Sequence, residues 1–512
     1  MDTTARELPV GWAWADLETL ANKQGVISDG DWVESKDQNP EGSVRLIQLA
    51  DVGELKFVDK SKRFMDLNRT TEMNCLFLME GDLLIARLGD PVGKACLLPK
   101  LSQKCVTAVD VMVFRPENLN AVDKNYIAYV INSPRLRNKI NLQLSGTTRK
   151  RITGKKLKVT KFPFPPIEEQ GRIVDKIDEL FSAIEAGERA IEQARAGVAR
   201  YRKAILKAAV TGELTRDWRD ENPTEESAEA LLDRILTTRY EAWEKSELEK
   251  LDAKGKARPE TEKQWEKFRG KYASPLPRNE GLKSYPASWL KTNVDMVTSL
   301  VTKGTTPKKH DMNGDGATIP YLKVYNLNFH GSVDFTIKPT FVTPDIHNNS
   351  LARSRLYPGD VIINIVGPPL GQAAIISDQY PEWNMNQAIA VLRPIEQIMS
   401  GYLLTITQSD EMLQWAISKA KATSGQVNLT LEICRNIPIG VPPLEEQAEI
   451  VDRVQQALSK ADAVEATLDA QSRQAKALKQ AVLKTAFEGR LVPQNPNDEP
   501  ASELLKRIKE QT

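Results

Sequence analysis

The sequence predicts an α+β chain: two pseudo-symmetric mixed α/β domains joined by two long coiled-coil helices. Three observations carry that prediction. The phrase "PPIEEQGRIVDKI" from Pro165 returns as "PPLEEQAEIVDRV" from Pro442, with eight of thirteen positions identical. Ahead of each copy lie short β-branched runs bounded by Gly, Pro and Asp, the pattern of strands. Behind each copy, apolar or small residues recur at alternating steps of four and three, which is a heptad seam.

The repeat extends well beyond that phrase. "YRKAILKAAVTGEL" from Tyr201 answers "LKQAVLKTAFEGRL" from Leu478 at the same offset of 277 residues. Pro9 and Trp12 in "LPVGWAW" stand where Pro286 and Trp289 stand in "YPASWLK". At offset 278, "GDLLIARLGDPVGKA" from Gly81 matches "GDVIINIVGPPLGQA" from Gly359, and "VMVFRP" from Val111 matches "IAVLRP" from Ile389. Self-similarity on this scale reads as duplication. Residues 1–164 and 285–441 are then the two mixed domains. Strands are expected in "DLLIAR", "VTAVDVMVFR", "DVIINIV" and "AIAVLRP", and helix around Tyr126–Ile140 and Tyr402–Lys421.

Residues 165–214 and 442–491 each hold one long helix. Pro-Pro followed by Glu-Glu is a strong start, because Pro fits the first turn and carboxylates suit its positive dipole end. The seam of the first helix runs through Ile173, Ile177, Leu180, Ile184, Ile191, Val198 and Ile205. That of the second includes Ile450, Val454, Leu468, Leu478 and Val482. Gly212 and Gly489 mark the stops. The stretch from Ile167 to Val210 would be about 66 Å long as helix. That outruns the diameter of either domain, so much of the seam needs another partner, and the other copy is the obvious one. Duplicated units tend to pack about a pseudo-twofold axis. If the axis crosses the helices they run antiparallel; a parallel pair is the alternative.

Residues 215–284 break the symmetry as a charged helical linker. "EESAEALLDRILTTRYEAWEKSELEKL" reads as helix, is interrupted at "KGKARPE" and resumes at "TEKQWEKFRGKY". Trp243 and Trp265 lie among its charges, which suits a docking helix. The tail, 492–512, holds a short helix: "ASELLKRI" from Ala501 echoes "AEALLDRI" from Ala228.

A chain of 512 residues, 41% hydrophobic and 27% charged, has the composition of a globular protein with ample core. No stretch reads as a membrane span or a signal peptide. The four cysteines form no CxxC pair and no disulfide framework, so a reduced cytoplasm is expected. Net charge is +1 but unevenly spread: residues 1–166 carry 25 basic and 20 acidic side chains. Within them, Arg135 to Lys161 holds ten basic residues and no acidic one. Such a block can meet phosphates.

Catalytic patterns are absent. "GDPVGKA" from Gly89 lacks the spacing and the Ser/Thr of a phosphate loop and reads as a hairpin turn. "DMNGDG" from Asp311 opens like a calcium loop, but Leu322 stands where the bidentate Glu belongs. His310, His330 and His347 offer no ligand spacing. The paired Glu168–Glu169 and Glu445–Glu446 are explained by the helix dipole. No metal and no catalytic residue is expected.

Taken in order, "LPVGWAW", "GDLLIARLGDPVGKA", "SGTTRKRI", "PPIEEQGRIVDKI", "KGTTP", "IPYLKVYNL", "TSGQVNLTLEICRNIPI" and "PPLEEQAEIVDRV" resemble the specificity (S) subunit of type I restriction–modification systems. The resemblance covers nearly the whole chain. It implies two target-recognition domains, each reading one half of a bipartite, asymmetric site in double-stranded DNA. It implies that the long helices form an antiparallel coiled coil setting half-site spacing. It further implies two methylation subunits bringing S-adenosylmethionine and restriction subunits using ATP and Mg, with no cofactor and no catalysis in this chain. A non-DNA coiled-coil scaffold presenting two ligand modules is the alternative, and the acid-free basic block speaks against it.

Recognition residues follow from chemistry alone. Arg149, Lys150, Arg151, Lys155 and Lys156, with Arg87 and Lys94 beside them, are the DNA-contact candidates of the first domain. In the second they are Thr305, Thr306, Lys308, Lys309, Lys323, Gln426 and Asn428. Arg suits guanine, and Asn or Gln suits adenine.

Overall fold

The computed structural model describes residues 8–118, 120–146, 149–224, 226–274, 285–420, 422–423 and 426–510, with backbone alone at Ala253, Ala422, Thr423 and Gln426. The chain divides into two compact units, one of residues 1–193 with 468–512 and one of residues 194–467. Each unit therefore takes one mixed domain plus complementary halves of both long helices.

The first unit is built on a four-stranded antiparallel sheet ordered Val26–Asp29, Val111–Arg115, Leu83–Ala86, Ala95–Leu97. Period-2 alternation splits its side chains between two cores. Leu83, Ile85, Met112 and Phe114 face the helices, whereas Leu84, Ala86, Val111 and Val113 face a second small sheet. That sheet, Phe64–Met65, Val44–Ile47 and Cys105–Thr107, has one antiparallel and one parallel pairing. The second unit repeats both sheets in the same order: Thr298–Lys303, Ile389–Pro394, Val361–Asn364, Ala373–Ile375, then Phe341–Val342, Ile319–Leu322, Asn384–Met385. "GDPVGKA" forms the turn joining Leu83–Ala86 to Ala95–Leu97.

The helix expected around Tyr126–Ile140 and around Tyr402–Lys421 comes in two pieces in each unit. Lys124–Asn132 and Pro134–Asn141 break at Ser133; Ser400–Gln408 and Asp410–Lys419 break at Ser409. In both breaks the serine hydroxyl caps the second helix, accepting from Leu136 N or Met412 N at 3.3 Å. This local alternative to backbone bonding outcompetes continuous helix.

The long helices run Ile167–Thr211 and Leu444–Ala486. In the first unit, Ile173, Ile177 and Phe181 share a core with Val482, Leu483 and Ala486, and Leu180 and Ile184 pack against it. In the second unit, Ile205, Leu206 and Ala209 pack with Ile450 and Val454. The start of each helix thus meets the end of the other, which is antiparallel pairing. Leu468 is buried as expected, and Ile191 and Val198 are half-buried. Leu478 departs from the predicted seam: it is 50% exposed. There the stripe has drifted by one residue, as 3.6 residues per turn dictates against a 3.5 repeat. Lys479 takes the place, its ammonium 5.7 Å from the Phe181 ring centre and 2.8 Å from Glu188.

The doubled Pro-Pro-x-Glu-Glu-Gln phrase proves to be a clamp. Its first glutamates, Glu168 and Glu445, are exposed, while Glu169 and Glu446 are buried. Glu169 accepts from Trp12 Nε1 at 3.0 Å, and Glu446 from Trp289 Nε1 at 2.9 Å. Gln170 Nε2 donates to Pro165 O and its Oε1 accepts from Asp123 N, both at 3.0 Å. Gln447 likewise bonds Pro442 O and Met399 N, both at 2.9 Å. Dipole complementarity therefore accounts for one glutamate of each pair; the other fastens a mixed domain to its helix. The helix ends are received by the same motif. Gly489 and Gly212 have positive φ (+66° and +80°), and a Cβ there would lie 2.3 Å from Pro9 and 2.5 Å from Pro286. A side chain at either position would force the Pro-x-x-Trp segment away.

The linker supplies helices Ala228–Ala253 and Glu262–Arg269. Leu231 and Ile235 join the second unit's core, and Arg239 donates to Asp295 O at 2.7 Å. Trp243, Phe268, Tyr240, Tyr272 and Trp265 pack edge to face or tilted against one another, so the linker's aromatics cover its own helices. In the first unit the tail helix Ala501–Glu510 buries Leu504, Leu505 and Ile508 in the core, as Leu231, Leu232 and Ile235 are used in the other. Residues 275–284 of the linker lie outside the described residues. Among those described, no helix is long and apolar enough to cross a membrane.

Candidate nucleic-acid interface

The register of each four-stranded sheet gathers four connections at one end. In the first unit Asp29 pairs with Met112, Ala86 with Val111 and Ile85 with Ala95. The segment after Asp29, the 87–94 turn and the 108–110 turn all leave from that end. The segment 145–156 joins them: Ile152 N donates to Arg87 O at 3.0 Å, and Arg151 bridges both Leu88 and Ser145. In the second unit the 304–311 segment, the 365–372 turn, the 386–388 turn and the segment ending at Asn428 converge in the same way. Leu429 N donates to Ile365 O at 2.9 Å, and Asn428 bridges Val366.

These ends carry most of the sequence candidates, with one correction. Arg149, Lys150, Arg151, Lys155 and Lys156 are all exposed. Lys156 Nζ donates to Gln143 O at 3.1 Å. Lys94 is half-buried in the turn. Arg87, by contrast, is 7% exposed; it lies 3.1 Å from Asp29 Oδ1 and donates to Val109 O. Its guanidinium holds the sheet end together beneath the loop, so Arg87 leaves the set of contact candidates. Gly154 packs on the same Asp29, where a Cβ would meet Oδ1 at 2.5 Å.

In the second unit Lys308, Lys309 and Thr306 are exposed. Thr305 is half-buried: its carbonyl accepts from Tyr321 Oη at 2.8 Å and its Oγ1 from Arg353 at 3.0 Å. Lys323 follows Leu322, which pairs with Met385, so it stands beside the 386–388 turn, its ammonium 6.0 Å from the Tyr325 ring centre. Asn428 is half-buried, and its enclosed Oδ1 has no hydrogen-bond partner among the described residues. Gln426 stands in the strand Gln426–Val427, but its side chain lies outside the described residues.

The acid-free block from Arg135 to Lys161 is not one patch. Arg137 is buried and donates to Asn132 Oδ1 at 2.5 Å; burial pulls its pKa below the ordinary arginine value. Arg135 and Lys139 lie over the Trp14 ring at 5.5 and 4.7 Å. Lys161 pairs with Asp16; burial raises the Asp16 pKa, but Lys161 and the Thr19 N–H outweigh it and hold the carboxyl below its usual range. Only the part from Arg149 to Lys156 is presented at the sheet end.

Superposing the two frames by their hydrogen bonds exposes residues the sequence reading missed. Glu34 N bonds Asp37 Oδ2 at 3.0 Å and Lys308 N bonds Asp311 Oδ2 at 3.3 Å, an offset of 274. Lys308 and Lys309 therefore occupy the places of Glu34 and Ser35, and Thr306 that of Trp32, which is 71% exposed. At offset 277, Glu432 takes the place of Lys155. The basic segment comes late in the first domain and early in the second. Exposed Gln387 and Arg353 also belong to the second sheet end. The shift of offset from 277 to 274 hid these equivalences, because insertions in the loops break alignment just where the frame is preserved by backbone bonding.

Two copies of one frame, each presenting a differently charged sheet end, define a bipartite nucleic-acid-reading protein. Comparison with known proteins gives the family. Residues 35–193 and 289–471 match the type I restriction modification DNA specificity domain, about two-thirds of the chain. The chain belongs to this family of DNA specificity subunits and carries two copies of its domain. It is 24% identical to the type I restriction enzyme EcoKI specificity subunit of Escherichia coli (strain K12), over 99% of this chain and 96% of that protein. It is 26% identical to the EcoBI specificity subunit of Escherichia coli, over 72% of this chain and 68% of that one. Its fold resembles a chain solved in work on complex assembly and conformational transition of the type I R-M system, with TM-score 0.62 and 17% identity, covering 95% of this chain and 100% of that one.

Proposed function

We propose that this chain is the non-catalytic reading subunit of a cytoplasmic type I restriction–modification complex. Domains 1–164 and 285–441 each contact one half of a bipartite, asymmetric site in double-stranded DNA through the sheet ends. Arg149, Lys150, Arg151, Lys155, Lys156 and Lys94 serve the first half-site. Thr305, Thr306, Lys308, Lys309, Lys323, Gln426 and Asn428 serve the second. The antiparallel helices act as the ruler between half-sites, as dimer geometry does for palindromic readers. Two methylation subunits dock on this frame with S-adenosylmethionine, and restriction subunits add ATP- and Mg-dependent steps.

The observation that carries this reading is the pairing of an identical backbone frame with opposite placement of the basic segment. Equal frames give two equivalent seats on DNA; unlike faces read an asymmetric sequence. The test is methylation mapping by sequencing of modified bases, with the chain and its methylation subunits expressed in a host lacking other systems. A single two-part asymmetric motif is expected. Methylation without a motif, or none dependent on this chain, would refute the reading.

A further inference from the structure

The loops at the two sheet ends differ in length and charge, yet one position on them makes the same bridge to the frame. Arg151 bridges Leu88, and the next residue, Ile152, donates to Arg87 O at 3.0 Å. Asn428 bridges Val366, and the next residue, Leu429, donates to Ile365 O at 2.9 Å. Ile152 and Leu429 are both buried. Thr153 and Thr430 follow, each capping a five-residue helix by accepting from Lys156 N at 3.4 Å or Ile433 N at 3.2 Å. The bridge to the sheet turn and the helix that follows are therefore the same at this position, whereas the hairpin before it differs, with Ser145 paired to Arg151 in one copy and Ala422 paired to Val427 in the other.

Resting on the function proposed above, we propose that Arg151 and Asn428 are one reading position used twice, with Arg151 recognising a guanine in one half-site and Asn428 an adenine in the other. Three features single it out. First, a side chain that reads a base edge needs a fixed Cα, whereas a phosphate contact tolerates a looser one. Arg151 exchanges both backbone bonds with Ser145, at 2.9 and 3.0 Å, besides its bridge to Leu88. Arg149 and Lys150 lie in the turn beyond that ladder. Second, the Arg151 side chain is exposed and makes no hydrogen bond or ion pair among the described residues, so its five donors are available in fork geometry. Third, Asn428 is half-buried, and its Oδ1 is enclosed without a partner among the described residues; turned outward, an asparagine amide offers one acceptor and one donor edge to adenine N6 and N7, as arginine offers two donors to guanine O6 and N7. The neighbouring charges do not share this equivalence, since Glu432 replaces Lys155. The reading slot is kept while the phosphate contacts around it are not.

The experiment uses the full chain with its methylation subunits, comparing wild type with Arg151→Lys, Arg151→Asn and Asn428→Arg. Methylated motifs are mapped, and binding is measured by competition between duplexes differing at single half-site positions. Arg151→Lys keeps the charge and should relax one guanine position in one half-site, with discrimination falling roughly 5- to 150-fold. Arg151→Asn should shift that position towards adenine, and Asn428→Arg should shift one position of the other half-site from adenine towards guanine. Unchanged motifs would overturn the assignment, as would equal weakening on every duplex with a shallower salt slope, the mark of a phosphate contact. Melting temperatures of the variants separate either result from misfolding. A wild-type complex with no two-part motif would sink the function itself, and this pairing with it.

Discussion

Replacing Glu169 and Glu446 by glutamine should have unequal effects, although both close the same clamp. Glu446 accepts from Trp289 Nε1 at 2.9 Å, from Thr215 Oγ1 at 2.8 Å and from Arg219. It is 2% exposed, and the Arg219 side chain is 18% exposed. Glutamine there turns one acceptor edge into a donor facing other donors and leaves a part-buried guanidinium without its counter-charge. Breaking one side of a buried pair costs about 3–5 kcal/mol. Among the described residues Glu169 accepts from Trp12 alone, and its Oε1 has no hydrogen-bond partner. Glutamine keeps an acceptor for Trp12 and removes a buried charge, so the change should be within about 1 kcal/mol, of either sign. Burial raises the Glu169 pKa above the ordinary 4.5, with Trp12 and Arg172 opposing. The folded form therefore holds this proton more tightly than the unfolded chain. Above its raised pKa the first unit carries the full penalty of a buried charge. That penalty is relieved as pH falls through the raised value towards 4.5, and Glu169→Gln should remove this pH dependence. Native-state hydrogen exchange of the strands Ala13–Ala15 and Leu290–Asn293 measures opening at each clamp separately. Equal losses in the two variants, or a larger loss for Glu169→Gln, would refute the reasoning.

Cysteine pairs at Ile173 with Val482, and at Ile205 with Ile450, should crosslink, while Ile173 with Ile450 should not; the reverse result on a non-reducing gel would contradict antiparallel pairing. Lys155→Ala and Lys308→Ala should each reduce the slope of log affinity against log salt by about 0.9, one phosphate contact apiece, read by titration of the assembled complex. Leu504→Ala should destabilise the first unit by about 2–5 kcal/mol, and Leu231→Ala the second by a similar amount, because each leucine fills the corresponding core; a silent Leu504→Ala would mean the tail helix is dispensable.

The duplication, the helix starts, the strand runs and the tail's echo of "AEALLDRI" were legible because each is a local or periodic signal. The seam was legible where core packing follows it, at Ile173, Ile177, Ile450 and Val454, and failed at Leu478, where accumulated phase carried Lys479 inward. Helix was legible around Tyr126–Ile140 and Tyr402–Lys421, but not the breaks within it at Ser133 and Ser409, because a serine cap competes with helix through a single hydrogen bond. Of the basic block, charge alone could not tell Arg151 from Arg137. One is exposed on a loop and the other is buried against Asn132. Arg87 misled for the same reason: an arginine at a strand end faces water or a carboxylate according to what the fold brings next to it, here Asp29.

The sequence by itself determined that this protein is two copies of one plan, with two equal helices and two unlike faces. Repetition and period survive in one dimension, since each depends on residues close along the chain. Tertiary structure alone decided how the copies are locked and what their faces hold in common. Trp12 finds Glu169, Gly489 meets Pro9, and Arg151 and Asn428, which the 277-residue offset already aligns, bridge equivalent turns, all through pairings between residues dozens to hundreds apart in sequence. Such pairings are set by sheet register and helix direction, which no local pattern encodes.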